Sequence, residues 1–108
     1  MVTQGDIIVI DFDPQMGTEQ KGIRPALVVS GGAYHKVSSR RAWVCPITRT
    51  DKDYPIHIRL PEGMTTKGVV LCDQIKTVDI IARGYKITES VPEDTLWEVL
   101  DIINDLMA

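Results

Sequence analysis

Histidine and cysteine are scarce in this sequence, with two of each among 108 residues. His35, His57, Cys45 and Cys72 lie far apart and show no ligand spacing, so we expect no metal or cofactor, and a metal-dependent hydrolase is the least favoured class. Both cysteines lie inside apolar runs, which predicts buried free thiols. The chain also lacks Ser-His-Asp, His-Glu-x-x-His and phosphate-loop motifs, so any chemistry must come from other side chains.

Long hydrophobic runs are absent as well. No apolar stretch approaches the roughly 20 residues of a membrane span, and no basic segment leads into an apolar run at the N-terminus. We therefore expect a cytoplasmic protein without membrane contact. The 108 residues, 44% hydrophobic and 25% charged, predict one globular domain over residues 1–108.

An excess of positive charge is missing too, because the net charge is -3. This argues against a generic nucleic-acid binder, whose domains tend to be basic. The charge is nevertheless uneven: residues 21–52 hold seven basic residues and one acidic residue, whereas residues 87–108 hold six acidic residues and no lysine or arginine. A local basic field can attract an anionic ligand, because distant charges are screened. Two solvated faces without a partner remain the alternative.

Short apolar runs separated by glycine and proline predict a mainly β fold. We expect five to seven short antiparallel strands forming a strongly bent sheet or small barrel, with a C-terminal α-helix after Pro92. Pro46 predicts an edge or the end of pairing in its strand, which would leave Thr48 accessible at the strand's rim. The segment from Tyr34 to Arg41 is expected to be a mobile loop, and Thr77–Ala82 is ambiguous. The predicted strands are 7–12, 26–29, 42–47, 56–60, 69–72 and 83–87, and the helix stripe is Leu96, Val99, Leu100, Ile103 and Met107.

The polar segment from Pro14 to Pro25 lies between the first two predicted strands. It places a carboxylate, an amide and a guanidinium (Glu19, Gln20 and Arg24) within six residues. Such a loop, positioned by strands, is a common place for chemistry. An ordinary polar hairpin loop is the alternative.

Five short motifs occur in order along the chain. They are Gly5-Asp6, Glu19-Gln20, Arg24-Pro25, Pro46-Ile47-Thr48 and Asp73-Gln74-Ile75. With this spacing the sequence resembles the MazF/PemK family of toxin endoribonucleases. The resemblance implies an SH3-like barrel, a homodimer, metal-independent and sequence-specific cleavage of single-stranded mRNA that inhibits translation and growth, and inhibition by a cognate antitoxin whose disordered tail wraps the toxin.

The resemblance also implies roles for individual residues. Arg24 matches the catalytic arginine of the family and Thr48 its catalytic threonine, while Glu19 and Gln20 match residues of the active-site loop. Asp73 and Gln74 match a polar pair near the dimer and RNA-binding surface. Two departures, at Ala33–Lys36 and at Arg49, concern RNA sequence preference.

Metal-free cleavage uses the RNA's own 2'-hydroxyl as nucleophile, so the protein must accept its proton and stabilise a charged phosphorane. Arg24 suits the phosphorane because its planar fork binds two phosphate oxygens, and Thr48 can add a hydroxyl hydrogen bond. A guanidinium is a poor base, so Glu19 or a water is the hypothetical proton acceptor. His57 would share a strand face with Arg59 and is expected to be solvated rather than catalytic.

A basic segment carrying an aromatic residue can follow phosphates and stack a base. Packing of Tyr34 on the core is the alternative for that residue. The candidate RNA-binding residues are Gln20, Lys21, Tyr34, His35, Lys36, Arg40, Arg41, Arg49 and Gln74.

Two other functions stay open. Gyrase poisons resembling CcdB share the expected fold but act through a tryptophan-containing C-terminal tail, whereas this chain ends Asn-Asp-Leu-Met-Ala. A non-catalytic SH3-like interaction module would make the arginine and threonine positions coincidental.

Overall fold

A computed structural model describes residues 1–12 and 22–108. Most of its regular structure is antiparallel sheet, followed by one long helix. The strands are β1 (Asp6–Asp11), β2 (Ile23–Val28), β3 (Arg41–Thr48), β4 (His57–Arg59), β5 (Val69–Leu71), β6 (Lys76–Asp79) and β7 (Tyr85–Ser90). The helices are α1 (Gly32–Val37), α2 (Ile80–Arg83) and α3 (Glu93–Met107), and a 3-10 turn spans Cys72–Gln74.

The sheet has the strand order β4-β5-β3-β2-β1-β7, and β6 also pairs with β3. The long strand β3 is therefore central, so an edge at Pro46 is wrong. The end of pairing, the other possibility expected there, is found toward β2, because the β2–β3 ladder ends at the pair Ala26–Pro46. Pro46 faces Ala26 of β2 on one side. On the other side β6 pairs with residues 41–44 and β5 with residues 47 and 48, so the proline falls between two ladders where no donor is needed.

Side-chain hydrogen bonds link the two ends of this bent sheet. The Glu89 carboxylate of β7 accepts hydrogen bonds from the backbone N–H of Thr65 (3.2 Å) and of Thr66 (2.7 Å), and from the Thr66 hydroxyl (2.6 Å). These donors, the Thr66 hydroxyl above all, lower the pKa of Glu89. Because Thr65 and Thr66 lie between β4 and β5, the sheet curls into a barrel-like form although its ladder stays open. The predicted mainly β fold with a C-terminal helix is confirmed.

The apolar side chains form two clusters, one on each face of the sheet. Ile8 and Ile10 of β1 belong to one cluster, whereas Ile7 belongs to the other and packs with α3 through Val99 and Ile103. The predicted helix stripe holds up to Ile103, but Met107 is 74% exposed and lies outside it. Cys45 and Cys72 are buried free thiols, as predicted.

The sequence predicts a mobile loop from Tyr34 to Arg41, but residues 34–37 belong to helix α1, so a loop over the whole segment is wrong. The ring of Tyr34 in α1 packs against Trp43 with centroids 5.3 Å apart, and His35 Nε2 lies 2.9 Å from the Ser30 hydroxyl. Tyr34 therefore packs on the protein surface, beside β3. The segment Thr77–Ala82, whose structure the sequence left ambiguous, forms most of β6 and α2. The Asp79 carboxylate caps α2 by accepting a hydrogen bond from the Ala82 N–H at 3.0 Å.

None of the described helices is long and apolar enough to cross a membrane.

Candidate active site

Arg24 stands at the start of β2, where the ladder to β1 fixes its position. Ile10 of β1 faces Arg24, and the Phe12 N–H donates to the Gly22 carbonyl at 2.9 Å, which extends the pairing beyond the strand. Gly22 has a φ of 78°, a conformation that favours glycine. The chain thus enters β2 in a defined register and places a half-buried arginine at the mouth of the strand.

Thr48 is the last residue of β3 and faces Val69 of β5. Its hydroxyl accepts a hydrogen bond from the Thr50 N–H at 3.2 Å. The prediction that Thr48 ends its strand is confirmed, but full accessibility is wrong because only 9% of the residue is exposed. Pairing with β5 covers it from one side.

A cavity of about 320 Å³ brings these distant residues together. Four of the residues indicated by the motifs line it, namely Arg24, Thr48, Asp73 and Gln74. The 3-10 turn after β5 supplies Asp73 and Gln74, so three separate elements contribute to one concave site. The remaining lining residues, which the sequence did not single out for this site, are Thr50, Lys52, Tyr54, His57 and Leu71.

His57 differs most from its predicted environment. Its side chain is only 7% exposed, so the expectation of a solvated imidazole is wrong. The ring of Tyr54 lies over it with centroids 5.1 Å apart, and His57 Nε2 lies 3.6 Å from the Asp73 carboxylate. The alternation of β4 predicted which face of the sheet His57 lies on, because Ile58 packs on the core and its neighbour His57 therefore points to the other face. Its burial depends on the preceding segment.

That preceding segment is tied down by Arg59. The Arg59 guanidinium donates to the carboxylates of Asp51 and, at 2.8 Å, of Asp53. The hydrogen bond from Arg59 lowers the pKa of Asp51, which keeps this carboxylate ionised. As a result residues 51–54 fold back along β4 and carry Lys52 and Tyr54 to the cavity.

Arg24 also lines a second cavity of about 370 Å³. Arg49 and Lys67 border this cavity, and Arg49 is one of the candidate RNA-binding residues. Arg24 therefore lies between two concave surfaces. The first also carries Lys52, and the second carries Arg49 and Lys67.

Other candidates are not brought to these two cavities. His35 and Lys36 line a separate cavity with Met1–Gln4, and Tyr34, Arg40 and Arg41 line neither cavity beside Arg24. The candidates Glu19, Gln20 and Lys21 lie outside the described residues. Within residues 1–12 and 22–108, no three histidine, cysteine or acidic side chains are grouped as metal ligands would be.

Comparison with known proteins gives a consistent family. Residues 3–107 match the model of the PemK-like, MazF-like toxins of type II toxin-antitoxin systems. The endoribonuclease toxin MazF of Escherichia coli K12 is 38% identical over 103 residues, covering 95% of this chain and 91% of its own length.

Solved structures agree with the sequence comparison. MazF from Deinococcus radiodurans superposes with a TM-score of 0.90 at 36% identity, covering 98% of this chain and 96% of its own. A MazE-MazF structure from the same organism matches with a TM-score of 0.85 at 34% identity, over 98% and 95% of the two chains. The chain therefore belongs to the PemK-like, MazF-like toxins of type II toxin-antitoxin systems, a family with endoribonucleases among its members.

Proposed function

We propose that this toxin cleaves single-stranded mRNA at specific sequences without a metal ion, and that the cavity between β2, β3 and the 3-10 turn is where it does so. The observation that carries the proposal is that Arg24 and Thr48, distant in sequence, line one cavity. A guanidinium and a hydroxyl are the groups needed around a phosphoryl centre whose charge increases in the transition state. Cleavage of mRNA in the cytoplasm would stop translation and growth.

The reaction is transesterification by the ribose 2'-hydroxyl. Its oxygen forms a bond to phosphorus and the bond to the 5'-oxygen breaks, which leaves a 2',3'-cyclic phosphate and a 5'-hydroxyl. Arg24 donates to two phosphate oxygens of the pentavalent intermediate, and the Thr48 hydroxyl donates to one more. The Thr48 hydroxyl can still donate its proton, because it acts as the acceptor in its hydrogen bond with the Thr50 N–H.

A direct assay tests this function. The purified protein is incubated with a long single-stranded RNA in EDTA, and the new ends are analysed chemically. Products that end in 2',3'-cyclic phosphate and 5'-hydroxyl are expected. A folded protein that leaves the RNA intact, or that requires added Mg²⁺, contradicts the proposal.

The basic residues around the site are proposed to follow the RNA backbone. Arg49 and Lys67 lie beside the second cavity and Lys52 beside the first, so the strand would pass Arg24 with cations on both sides. Gln74 would contact the RNA in the first cavity. The more distant candidates Tyr34, His35, Lys36, Arg40 and Arg41 would contact the strand beyond the site, and Gln20 and Lys21 would act from the segment outside the described residues.

Replacing both Arg40 and Arg41 with alanine tests this longer path. Each phosphate contact on a single strand contributes about 0.7 to the slope of log affinity against log salt, so the double variant should lose about 1.4 in slope. Binding of an uncleavable 2'-deoxy oligonucleotide is measured between low and moderate salt. Lys86→Ala, an exposed lysine of β7, is the control for loss of charge alone. An unchanged slope would exclude these two arginines from the path.

The partners follow from the family. A MazE-MazF structure is among the matches, and we propose that this chain likewise binds a cognate antitoxin whose disordered C-terminal tail covers the toxin. We also propose a homodimer. Apolar side chains at the end of α3 and beside the 3-10 turn support it, because Ile75 is 36%, Leu106 48% and Met107 74% exposed in the single chain.

Leu106→Asp is expected to make the protein monomeric at micromolar concentration, since a carboxylate would be left unpaired in the apolar interface. Sedimentation velocity measures the change. Val37→Asp is the matched control, because Val37 is 83% exposed and lies on α1, outside this surface. If Leu106→Asp sediments as the wild type does, the apolar surface is not the dimer interface.

A further inference from the structure

Two residues that line the cavity each have a buried side-chain atom without a hydrogen-bond partner among the described residues. The two atoms are His57 Nδ1 and Gln74 Oε1. Both residues line the cavity that also contains Arg24 and Thr48. A buried polar atom without a partner is costly, and beside a concave site it marks a group that a ligand or a water can satisfy. Of the two atoms, the imidazole nitrogen can also transfer a proton.

The other imidazole nitrogen has an acidic neighbour. His57 Nε2 lies 3.6 Å from the Asp73 Oδ1 atom, and the side chains are 7% and 42% exposed respectively. A carboxylate beside one ring nitrogen favours the tautomer that carries its proton there. The proton of the neutral ring is then on Nε2, so Nδ1 presents an unoccupied lone pair.

We propose that His57 accepts the proton of the ribose 2'-hydroxyl through Nδ1, with Asp73 positioning the ring. The inference rests on the proposed ribonuclease function and names the proton acceptor of that reaction. As Nδ1 takes the proton, the 2'-oxygen bonds to phosphorus. The P–O5' bond breaks with its electron pair on O5', which takes a proton from water. The proton on Nδ1 then returns to solvent, so the enzyme is unchanged.

The surroundings of His57 suit a base that must become positively charged for a moment. Asp73 stabilises the imidazolium, and the Tyr54 ring covers the imidazole from the side of the preceding segment. Helix α3 packs on the opposite face of β4, through Ile58. The charged or titratable groups around His57 are Arg24, Lys52, Tyr54 and Asp73 of the cavity, nearby Asp51, and the thiol of Cys72, whose pKa burial raises to about 12.

Arg24 and Lys52 oppose a positive charge on the ring, whereas the two carboxylates favour it. With RNA bound, the phosphates neutralise the two cations. The substrate itself therefore makes the ring a better base at the moment it is needed.

The test is the pH dependence of cleavage. Single-turnover rates at saturating RNA are measured in EDTA between pH 5 and 9 for the wild type, His57→Gln and His57→Asn. The wild-type rate should fall toward acid, because a protonated imidazole cannot accept the proton of the 2'-hydroxyl. On the pH-independent plateau both variants should be slower by about 10²-fold, a typical loss for a general base. They should also lose the acidic limb, which is the part of the profile where the rate falls toward low pH.

The two variants separate proton transfer from hydrogen bonding. Glutamine places an amide near the Nε2 position and keeps the contact with Asp73, whereas asparagine places one near the Nδ1 position and keeps a hydrogen bond to the RNA. If either amide restores the wild-type rate, His57 has a structural role and the proposal is overturned. Circular dichroism shows that both variants are folded, and the use of two variants guards against a folding defect in one.

Asp73→Asn tests whether Asp73 acts on the imidazole, because a purely structural role of Asp73 would leave the position of the acidic limb unchanged. Without the carboxylate the imidazolium is less stabilised, so the acidic limb should shift to lower pH. His35→Gln, at the other histidine of the chain, should leave the fall in rate toward acid in place, whatever its plateau rate.

Glu19→Gln tests the alternative proton acceptor, because the sequence suggested that Glu19 takes the proton of the 2'-hydroxyl. Loss of the acidic limb in Glu19→Gln, with the limb retained in His57→Gln, would overturn the proposal and assign the proton to Glu19. A wild type that does not cleave RNA in EDTA would instead contradict the proposed function, so the two failures are distinguishable.

Discussion

Arg24→Ala is expected to slow RNA cleavage in EDTA by about 10²- to 10³-fold, the loss typical for removing one donor from a charged transition state. Among the described residues, Arg24 is the arginine that lines both cavities, whereas Arg49 lines the second cavity alone. Single-turnover rates at saturating RNA measure the chemical step without the contribution of binding. The rate should still fall toward acid, because Arg24 stabilises charge and does not exchange the proton.

Two further variants make the arginine result specific. Arg24→Lys keeps the charge but cannot present two parallel N–H groups, so it should recover only part of the rate. Lys86→Ala removes a positive charge from β7 at a residue that lines neither cavity, and should cleave as fast as the wild type. Arg24→Ala that is folded and cleaves at the wild-type rate would remove Arg24 from the mechanism.

The strands and the closing helix were predictable because their signals are local. The apolar run 26–29 and the alternation around Ile58 define strands whatever lies next to them, and Pro92 with two acids marks the start of α3. The positions of Arg24 and Thr48 at strand ends were predictable for a related reason, because each residue lies next to an apolar run. The catalytic roles of the two residues rest on the family resemblance and stay predictions.

The errors arose where distant contacts decide the outcome. Pro46 is tolerated in a central strand only because β5 and β6 leave a gap beside it, and the sequence of β3 contains no sign of that gap. The 34–41 segment reads as a polar loop, yet contacts of Tyr34 with Trp43 and of His35 with Ser30 order its first half. His57 is buried because Arg59 ties residues 51–53 to β4. In each case the deciding contact joins two different segments, and the periodicity of one segment does not report such a contact.

Gly68→Ala is expected to destabilise the protein by roughly 3 kcal/mol or more. Gly68 has a φ of 126°, which strains an alanine, and a Cβ atom there would lie 2.2 Å from the Thr48 carbonyl oxygen. That oxygen belongs to the backbone, so β3 or β5 must shift to make room. The same shift would displace the Thr48 hydroxyl, and cleavage should fall together with stability.

Gly63→Ala separates strain from the clash. Gly63 also has a positive φ, 92°, but a Cβ atom there would have no neighbour within 4 Å among the described residues. Strain alone should cost about 1 to 2 kcal/mol. Urea unfolding at one fixed protein concentration measures both, since dimerisation would make stability depend on concentration.

The difference between the two glycines reports how closely β5 approaches the site. If Gly68→Ala loses much more stability than Gly63→Ala, and also loses cleavage, the backbone at residue 68 holds Thr48 in the cavity. Equal losses would mean that β3 and β5 separate easily at this point. In that case β3 alone would hold Thr48 in place, and the pairing of Thr48 with Val69 would contribute little to the shape of the cavity.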